Sequence, residues 1–184
     1  WARFGQWAWS SFVLAGGAAL MAGALALALA FALRVQPKPA AGVPWFDPRR
    51  SSGWALRGAA RVVSLGYAVP GAVIAVGILL PLGWLQSAAP NWGVTPWVTG
   101  TVMGLLYAYL VRFSAVALQS VEAGYARVPG SVDETARMLG VGRGRLFAEL
   151  HVPLLRRSVL AAMLLVFVDV MKELPALDAH AVRF

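Results

Sequence analysis

Three charged residues near the end of an apolar segment, Asp169, Lys172 and Glu173, have the clearest potential for chemistry. Only 11 uncharged residues precede Asp169, from 158 to 168. A helix of that length spans roughly 17 Å, so a helix that crosses the bilayer carries these charges into it. A carboxylate near the bilayer centre costs about 2.5 to 3.5 kcal/mol. The three residues therefore either line a charged passage or lie among the headgroups at a helix end. The carboxylate oxygens of Asp169 and Glu173 suit hard cations, but they do not make a metal site. The spacing of Lys172 from Asp169 also allows a local ion pair.

A second group, between residues 131 and 153, has the spacing of a short capped helix in a polar loop. Ser131 and Glu134 form the pattern of a capping box, in which each side chain accepts from the other's backbone N–H. Carboxylates in the first turn favour the positive end of the helix dipole. Gly140 predicts that the helix ends with a residue in the left-handed conformation. The expected helix, 132–139, is about two turns long and marginal by itself in water, so we expect it to dock on another surface.

The rest of the sequence contains no catalytic or metal-binding pattern. Cysteine is absent, and the two histidines, His151 and His180, stand alone without the spacing of metal ligands. A G-x-x-x-x-G-K-[ST] phosphate loop, a Ser-His arrangement and H-E-x-x-H are also absent. An integral membrane enzyme is therefore disfavoured, and the basic net charge of +8 is explained by membrane topology rather than by binding to nucleic acid.

The composition predicts a membrane protein. Hydrophobic residues make up 59% and charged residues 13% of the 184 residues, and the charges fall in blocks between long neutral runs. Residues 10–33 carry no charge, and neither do residues 62–111, which are long enough for two spans with a turn near Pro90. Since one helical span needs roughly 20 residues, four spans are predicted, at 10–33, 67–85, 94–111 and 154–171.

The basic residues predict the orientation of these spans. Segments 34–61 and 112–157 hold 13 of the 16 Lys and Arg residues, whereas the loop between the second and third spans has none. Short cytoplasmic loops contain an excess of Lys and Arg. The first and third spans are therefore expected to run inward and the fourth outward, which places 112–157 in the cytoplasm. The chain opens on Trp1 rather than Met, which indicates a fragment.

The segment from Glu134 to Pro153 resembles the EAA loop of permease subunits in binding-protein-dependent ABC importers. The consensus of that loop is E-A-A, three residues, G, nine residues and I-x-L-P, and both intervals hold here. The departures are mild: Thr135 for Ala, Leu150 for Ile and Val152 for Leu. The resemblance implies that this segment is a coupling helix that seats in an ATP-hydrolysing subunit. The residues assigned to coupling are Ser131, Asp133, Glu134, Thr135, Ala136, Gly140, Leu150, Val152 and Pro153.

The resemblance implies an all-α integral membrane protein with the type I ABC importer permease (MetI-like) fold and about four spans in this chain. Residues 1–184 would form a single transmembrane permease domain, part of the C-terminal half of a longer permease, with 112–157 as its cytoplasmic coupling region. The implied partners are an ABC ATPase subunit, a periplasmic or extracellular solute-binding protein, a second permease half or copy, and the lipid bilayer. The chain itself would bind no cofactor, because ATP and Mg²⁺ are used by the ATPase. The implied location is the bacterial inner membrane, as a multi-pass protein.

Two further segments resemble iron(III)-type permeases. They are SLGYAVPG at 64–71 and M-K-E-L-P-A at 171–176. The resemblance implies iron(III) as the solute, with thiamine, phosphonate, sulfate or polyamine as alternatives, and a non-transport membrane assembly subunit as an alternative of another class. The candidates for the translocation path are Asp169, Lys172, Glu173 and Pro175.

Overall fold

The computed structural model describes residues 2–36, 51–66, 69–88 and 102–181, which form helices and short connections without any strand. The all-α prediction is confirmed for this part of the chain. The helices are α1 (Ala2–Val35), α2 (Ser51–Leu65), α3 (Gly71–Ala88), α4 (Val102–Tyr125), α5 (Gly130–Met138), α6 (Arg143–Arg145), a π-helical turn (Leu146–His151) and α7 (Val152–Ala181).

Two helices in these described ranges are long and apolar enough to cross a bilayer. They cover Ala8–Val35 in α1 and Met103–Tyr125 in α4. The first predicted span, 10–33, is therefore confirmed as a helix of sufficient length. A bilayer core of about 30 Å requires roughly 20 residues, and both helices exceed that.

The third predicted span, 94–111, corresponds to a helix that continues beyond the predicted bound. Residues 94–101 lie outside the described ranges, and α4 continues to Tyr125 rather than stopping at 111. The sequence pattern assigned Arg112 to a cytoplasmic loop, but its Nη2 lies 2.7 Å from Oε1 of Glu173 on α7. Because the charge is paired within the helix bundle, the helix does not have to end at Arg112. Residues 112–125 of the predicted coupling region 112–157 therefore belong to α4.

The second and fourth predicted spans correspond to helices of different character. The second, 67–85, corresponds to α3, which begins at Gly71 and has a shorter apolar section from Val76 to Ala88. The fourth, 154–171, lies within α7, which continues to Ala181. The local ion pair predicted there is confirmed, since Lys172 Nζ lies 3.5 Å from Asp169 Oδ1.

Helices α1, α4 and α7 pack against one another and form a three-helix core. The side of α1 that faces the core is built from alanines, which allow close approach of helices where lipid provides no hydrophobic driving force. Gly124 of α4 has the same role, because a Cβ there would collide with the side chain of Ser158 on α7. The buried alanines of α1 are Ala15, Ala18, Ala19, Ala22, Ala26 and Ala30.

Contacts along the three-helix core define the directions of its helices. Gly17 of α1 lies near Leu106 and Arg34 bonds to Asp133 beyond the end of α4, so α1 and α4 run in the same direction. Phe12 of α1 stacks edge-on against Phe167 of α7 at 5.2 Å, whereas Phe31 contacts His151, so α7 runs in the opposite direction. These relative directions agree with the predicted inward, inward and outward runs of the first, third and fourth spans.

Helix α2 is an element that the sequence analysis did not predict. Its buried Ala60 belongs to the same hydrophobic cluster as the three-helix core, and α2 contacts both α1 and α4. Gly66 follows α2, and a Cβ at this position would collide with the backbone carbonyl of Val111 in α4. The glycine of the SLGYAVPG segment therefore permits close approach of two backbones.

Candidate functional site: the loop helix and the membrane charges

The loop helix α5 begins earlier than the sequence predicted. Its N-cap is Pro129, with φ −57° and ψ 144°, and no side chain caps the helix. The predicted capping box is therefore wrong, because Ser131 lies inside the first turn instead of before it. Proline has a fixed φ that suits the start of a helix. The helix therefore begins at Gly130, earlier in the chain than the predicted residue 132. Thr135 Oγ1 donates to the carbonyl of Ser131 at 2.9 Å within the helix.

The end of α5 is formed as predicted. Gly140 has φ +75°, the left-handed conformation that glycine adopts without a steric cost. Its N–H donates to the carbonyl of Arg137 at 3.0 Å, and the N–H of Val141 donates to the carbonyl of Ala136 at 3.0 Å. These two bonds form a Schellman motif, which satisfies carbonyls at the helix end.

Helix α5 has one buried side and one exposed end. Asp133 is buried and Ala136 is half-buried, whereas Glu134 is exposed. At the C-terminal end the apolar side chains of Met138 and Leu139 are 89% and 77% exposed. Exposed apolar side chains on a polar loop are typical of a surface that binds another protein.

Arg34, near the end of α1, holds the buried side of this loop. Its Nε donates to Oδ2 of Asp133 at 2.7 Å. Its two Nη atoms donate to the backbone carbonyls of Tyr125 at 3.3 Å, Val128 at 2.8 Å and Pro129 at 3.0 Å. The guanidinium also lies 5.2 Å from the centre of the Tyr125 ring. A buried carboxylate requires such a partner, because an unpaired charge is strongly unfavourable away from water.

His151 lies on the other side of Asp133 and is fully buried. Its Nε2 is 3.2 Å from Oδ1 of Asp133, and the rings of Phe31 and Tyr125 lie 5.1 and 5.4 Å from the imidazole. Burial lowers the pKa of His151, Asp133 raises it and Arg34 lowers it further. The balance favours the neutral imidazole.

The segment that joins the loop to α7 contains a widened helical turn. Residues Leu146–His151 are π-helical, and the N–H of Val152 donates to the carbonyl of Phe147, five residues earlier. Pro153 follows directly; it lacks an N–H, and its ring would collide with the carbonyl four residues before it in a regular α-helix. The widened turn accommodates the proline, so the chain passes from the loop into α7 as a nearly continuous helix. Leu150 is half-buried, whereas Val152 and Pro153 are exposed.

Sequence reasoning placed Asp133 in the loop helix but missed its partners. From the sequence, Arg34 counts only among the basic residues of segment 34–61, and His151 only as a histidine without the spacing of metal ligands. Arg34 and Asp133 are 99 residues apart, so no local pattern connects them. His151 also lies beyond the helical spacing of Asp133, so the loop carries no signal for that contact either.

A second group of charges lies along α4 and α7. Arg112 pairs with Glu173 at 2.7 Å, and Lys172 pairs with Asp169 at 3.5 Å. Arg112 precedes the end of α4 by 13 residues, or about 20 Å at 1.5 Å per residue. The Arg112 and Glu173 side chains are 31% and 32% exposed. Pro175 belongs to the backbone of α7, but its side chain lies outside the described part.

Comparison with known families identifies the class of protein. Residues 39–179 match the family described as "Binding-protein-dependent transport system inner membrane component". The chain therefore belongs to this family and is a subunit of a transporter rather than an enzyme. No curated protein and no solved structure matches the chain. The matched residues include α5, the π-helical turn and most of α7, whereas α1 with Arg34 precedes them.

Proposed function

We propose that this chain is the membrane-spanning permease subunit of an ATP-driven importer, and that α5 is the helix on which the ATPase subunit docks. The observation that carries the proposal is the form of α5, which is held on one side by Asp133 and presents Met138 and Leu139 to solvent on the other. A helix of nine residues is too short to be stable by itself. Because Asp133 anchors one side of α5 and the Schellman motif at Gly140 ends the helix, a partner meets a defined surface.

The mechanical route from α5 into the bundle follows the chain. Closure of ATPase subunits around ATP and Mg²⁺ displaces the docked α5, and the helical connection through His151 and Pro153 transfers the displacement to α7. The continuity of this connection supports the transfer, because a helix transmits a push that a flexible loop absorbs. The energy comes from the partner, since this chain has no phosphate-binding loop. Such a machine alternates access between the two sides of the membrane.

The proposed topology has four spans, with α5 on the cytoplasmic side of the inner membrane. The directions of α1, α4 and α7 support it, as does the concentration of Lys and Arg in the segments around α2 and α5. Apolar side chains exposed on the outer faces of the helices support contact with lipid. They include Leu20 and Leu25 of α1, Leu80 and Trp84 of α3, and Leu160 and Leu164 of α7.

The proposed translocation path runs beside the charges of α4 and α7. Asp169, Lys172, Glu173 and Pro175 were assigned to it from the sequence, and the pairing of Glu173 adds Arg112. Charged residues at membrane depth usually face a bundle interior or an aqueous cavity rather than lipid. The partial exposure of the Arg112 and Glu173 side chains supports a position beside such a cavity.

For the solute we propose iron(III), delivered by a solute-binding protein to a complex with a second permease half or copy. The proposal rests on the SLGYAVPG and M-K-E-L-P-A segments. Uptake of radioactive iron(III) by cells that express the complete transporter tests it. Competition by thiamine, phosphonate, sulfate or polyamine instead of iron(III) would reassign the solute without changing the role of α5.

Co-purification with the ATPase tests the docking of α5. Replacing both Met138→Ser and Leu139→Ser removes the exposed apolar end while keeping the helix, and we expect the amount of bound ATPase to fall at least about tenfold, as loss of an apolar interface centre predicts. The matched control is Ala148→Ser, an exposed position of the π-helical turn, which should retain the ATPase. Full retention by the double variant would contradict docking at α5.

A further inference from the structure

Helix α1 supplies the cation for a carboxylate that lies on the docking helix. Asp133 is placed on the inner side of α5, and the ion pairs shown for its carboxylate in the described residues are with other elements: Arg34 of α1 and, when protonated, His151. The family match begins at residue 39, so the element that completes the loop lies outside the matched part of the chain.

The bonds of Arg34 have two separate effects. The carbonyls of Tyr125, Val128 and Pro129 lie at and after the end of α4. Those of Tyr125 and Pro129 also accept from the backbone N–H groups of Val128 and Val132. The three guanidinium bonds add to these and fix the connection between α4 and α5. The fourth bond, to Asp133, ties α5 itself to α1. A guanidinium is suited to this arrangement, because its planar fork donates in several fixed directions at once.

These contacts have a consequence for movement. If α5 moved relative to α1, the bond of 2.7 Å would break and leave Asp133 buried beside an aromatic cluster. We propose that Arg34 is a positioning residue that fastens α5 to α1, so that α1 moves together with the docking helix during the transport cycle. The fastening stands on the contacts alone, whereas its part in the transport cycle rests on the proposed function. The push of the ATPase then reaches the bundle through two connections, Pro153 into α7 and Arg34 into α1.

The fastening is tested in the full chain without any partner. Because the chain has no cysteine, Leu25→Cys on α1 and Arg137→Cys on α5 introduce two unique sites for spin labels. Both positions are exposed. In bilayer nanodiscs we expect one narrow distance distribution between the labels.

The informative substitution is Asp133→Ala, because Arg34 keeps its three carbonyl bonds and the end of α4 stays intact. We expect the narrow peak to be lost and replaced by a broad distribution. The matched control is Glu149→Ala, which removes the carboxylate of the exposed Arg145–Glu149 pair and should leave the peak unchanged. A second variant, Arg34→Gln with Asp133→Ala, leaves no charge unpaired and should also broaden the peak. An unchanged narrow peak in both variants overturns the fastening.

A second measurement adds the ATPase with ATP and vanadate. In the parent chain we expect the distance between the labels to stay the same when nucleotide is trapped, and in Asp133→Ala we expect it to shift. A shift of equal size in both chains overturns the joint movement of α1 and α5. If the parent chain binds no ATPase, the proposed function fails, while the distribution in the chain alone still decides whether Arg34 fastens α5.

Discussion

At the loop end of the three-helix core, the side chains of Arg34 and Asp133 are only 17% and 9% exposed, whereas those of Arg112 and Glu173 farther along the bundle are 31% and 32% exposed. Both pairs have a shortest distance of 2.7 Å, so distance does not distinguish them. Their surroundings distinguish the two pairs, because Arg34 also binds three backbone carbonyls.

The difference separates a fixed pair from one that can exchange partners. Breaking a buried pair leaves an unsatisfied charge, whereas a partly exposed pair is replaced by water at little cost. A transporter needs both kinds of pair. Under the proposed function, a docking helix that an ATPase displaces has to be held firmly, and residues beside a translocation path have to release one another when the path opens.

The largest effect is expected from breaking the buried pair on one side. Arg34→Gln leaves the Asp133 carboxylate without its cation, which we expect to lower the free energy of unfolding by about 3 to 5 kcal/mol. Adding Asp133→Asn to the same chain removes the unpaired charge and should recover part of that loss. Thermal unfolding of the detergent-solubilised chain measures both. A loss in the double variant equal to the sum of the losses in Arg34→Gln and Asp133→Asn alone would show that the two side chains are not coupled.

A smaller effect is expected at the end of α5. Gly140→Ala places a Cβ in the left-handed conformation, at a cost of about 1 to 2 kcal/mol, although no atom lies within 4 Å of the new Cβ position. The control is Gly144→Ala, which has equally open surroundings and no positive φ and should be neutral or stabilising. Hydrogen exchange at the amides of α5 compares the two variants. Similar exchange in both would refute a conformational role for Gly140.

A still smaller effect on stability is expected from the exposed pair. Arg112→Gln should lower the free energy of unfolding by about 0 to 1 kcal/mol, the range for pairs that water reaches. It should also reduce solute uptake by more than so small a loss of folded protein explains. Unfolding and uptake are measured on the same variant. A stability loss as large as that of Arg34→Gln would show that water does not replace Arg112 beside Glu173, and would contradict a position of this pair beside an aqueous path.

The smallest effect is a dependence on pH at the loop end. The groups that face His151 are Asp133, Arg34 and Tyr125. Burial lowers the pKa of His151, so near pH 6.5, where a free imidazole titrates, the unfolded chain binds more protons than the folded chain. Stability is therefore retained above about pH 6.5 and lost as the pH falls through the folded pKa.

Unfolding temperatures between pH 7.5 and 5.5 measure this dependence. In His151→Gln the unfolding temperature should depend less on pH, because the contribution of the imidazole is removed. A parent chain that becomes more stable on acidification would contradict the neutral, buried imidazole.

The sequence predicted what local spacing determines. Gly140 was predicted correctly because a glycine after a short polar helix is the usual residue for a left-handed helix end. The apolar run of α1 was predicted because length and absence of charge are sufficient for a span. The pair of Lys172 with Asp169 followed from helical spacing alone.

Contacts between distant segments could not be predicted in this way. The pairing of Arg112 was not predicted because its partner lies on α7, 61 positions later in the chain. The capping box failed because Pro129 starts α5 before Ser131. The buried position of His151 depends on α1, α4 and α5 meeting around it, which no pattern within the loop reveals.

The most direct test determines on which side of the membrane α5 lies and whether the ATPase covers it. A single Met138→Cys in this cysteine-free chain is treated with a membrane-impermeant maleimide in sealed vesicles of either orientation. The account predicts labelling only where the cytoplasmic face is outside, and protection when the ATPase is bound. Labelling from the periplasmic side, or equal labelling with and without the ATPase, would contradict it.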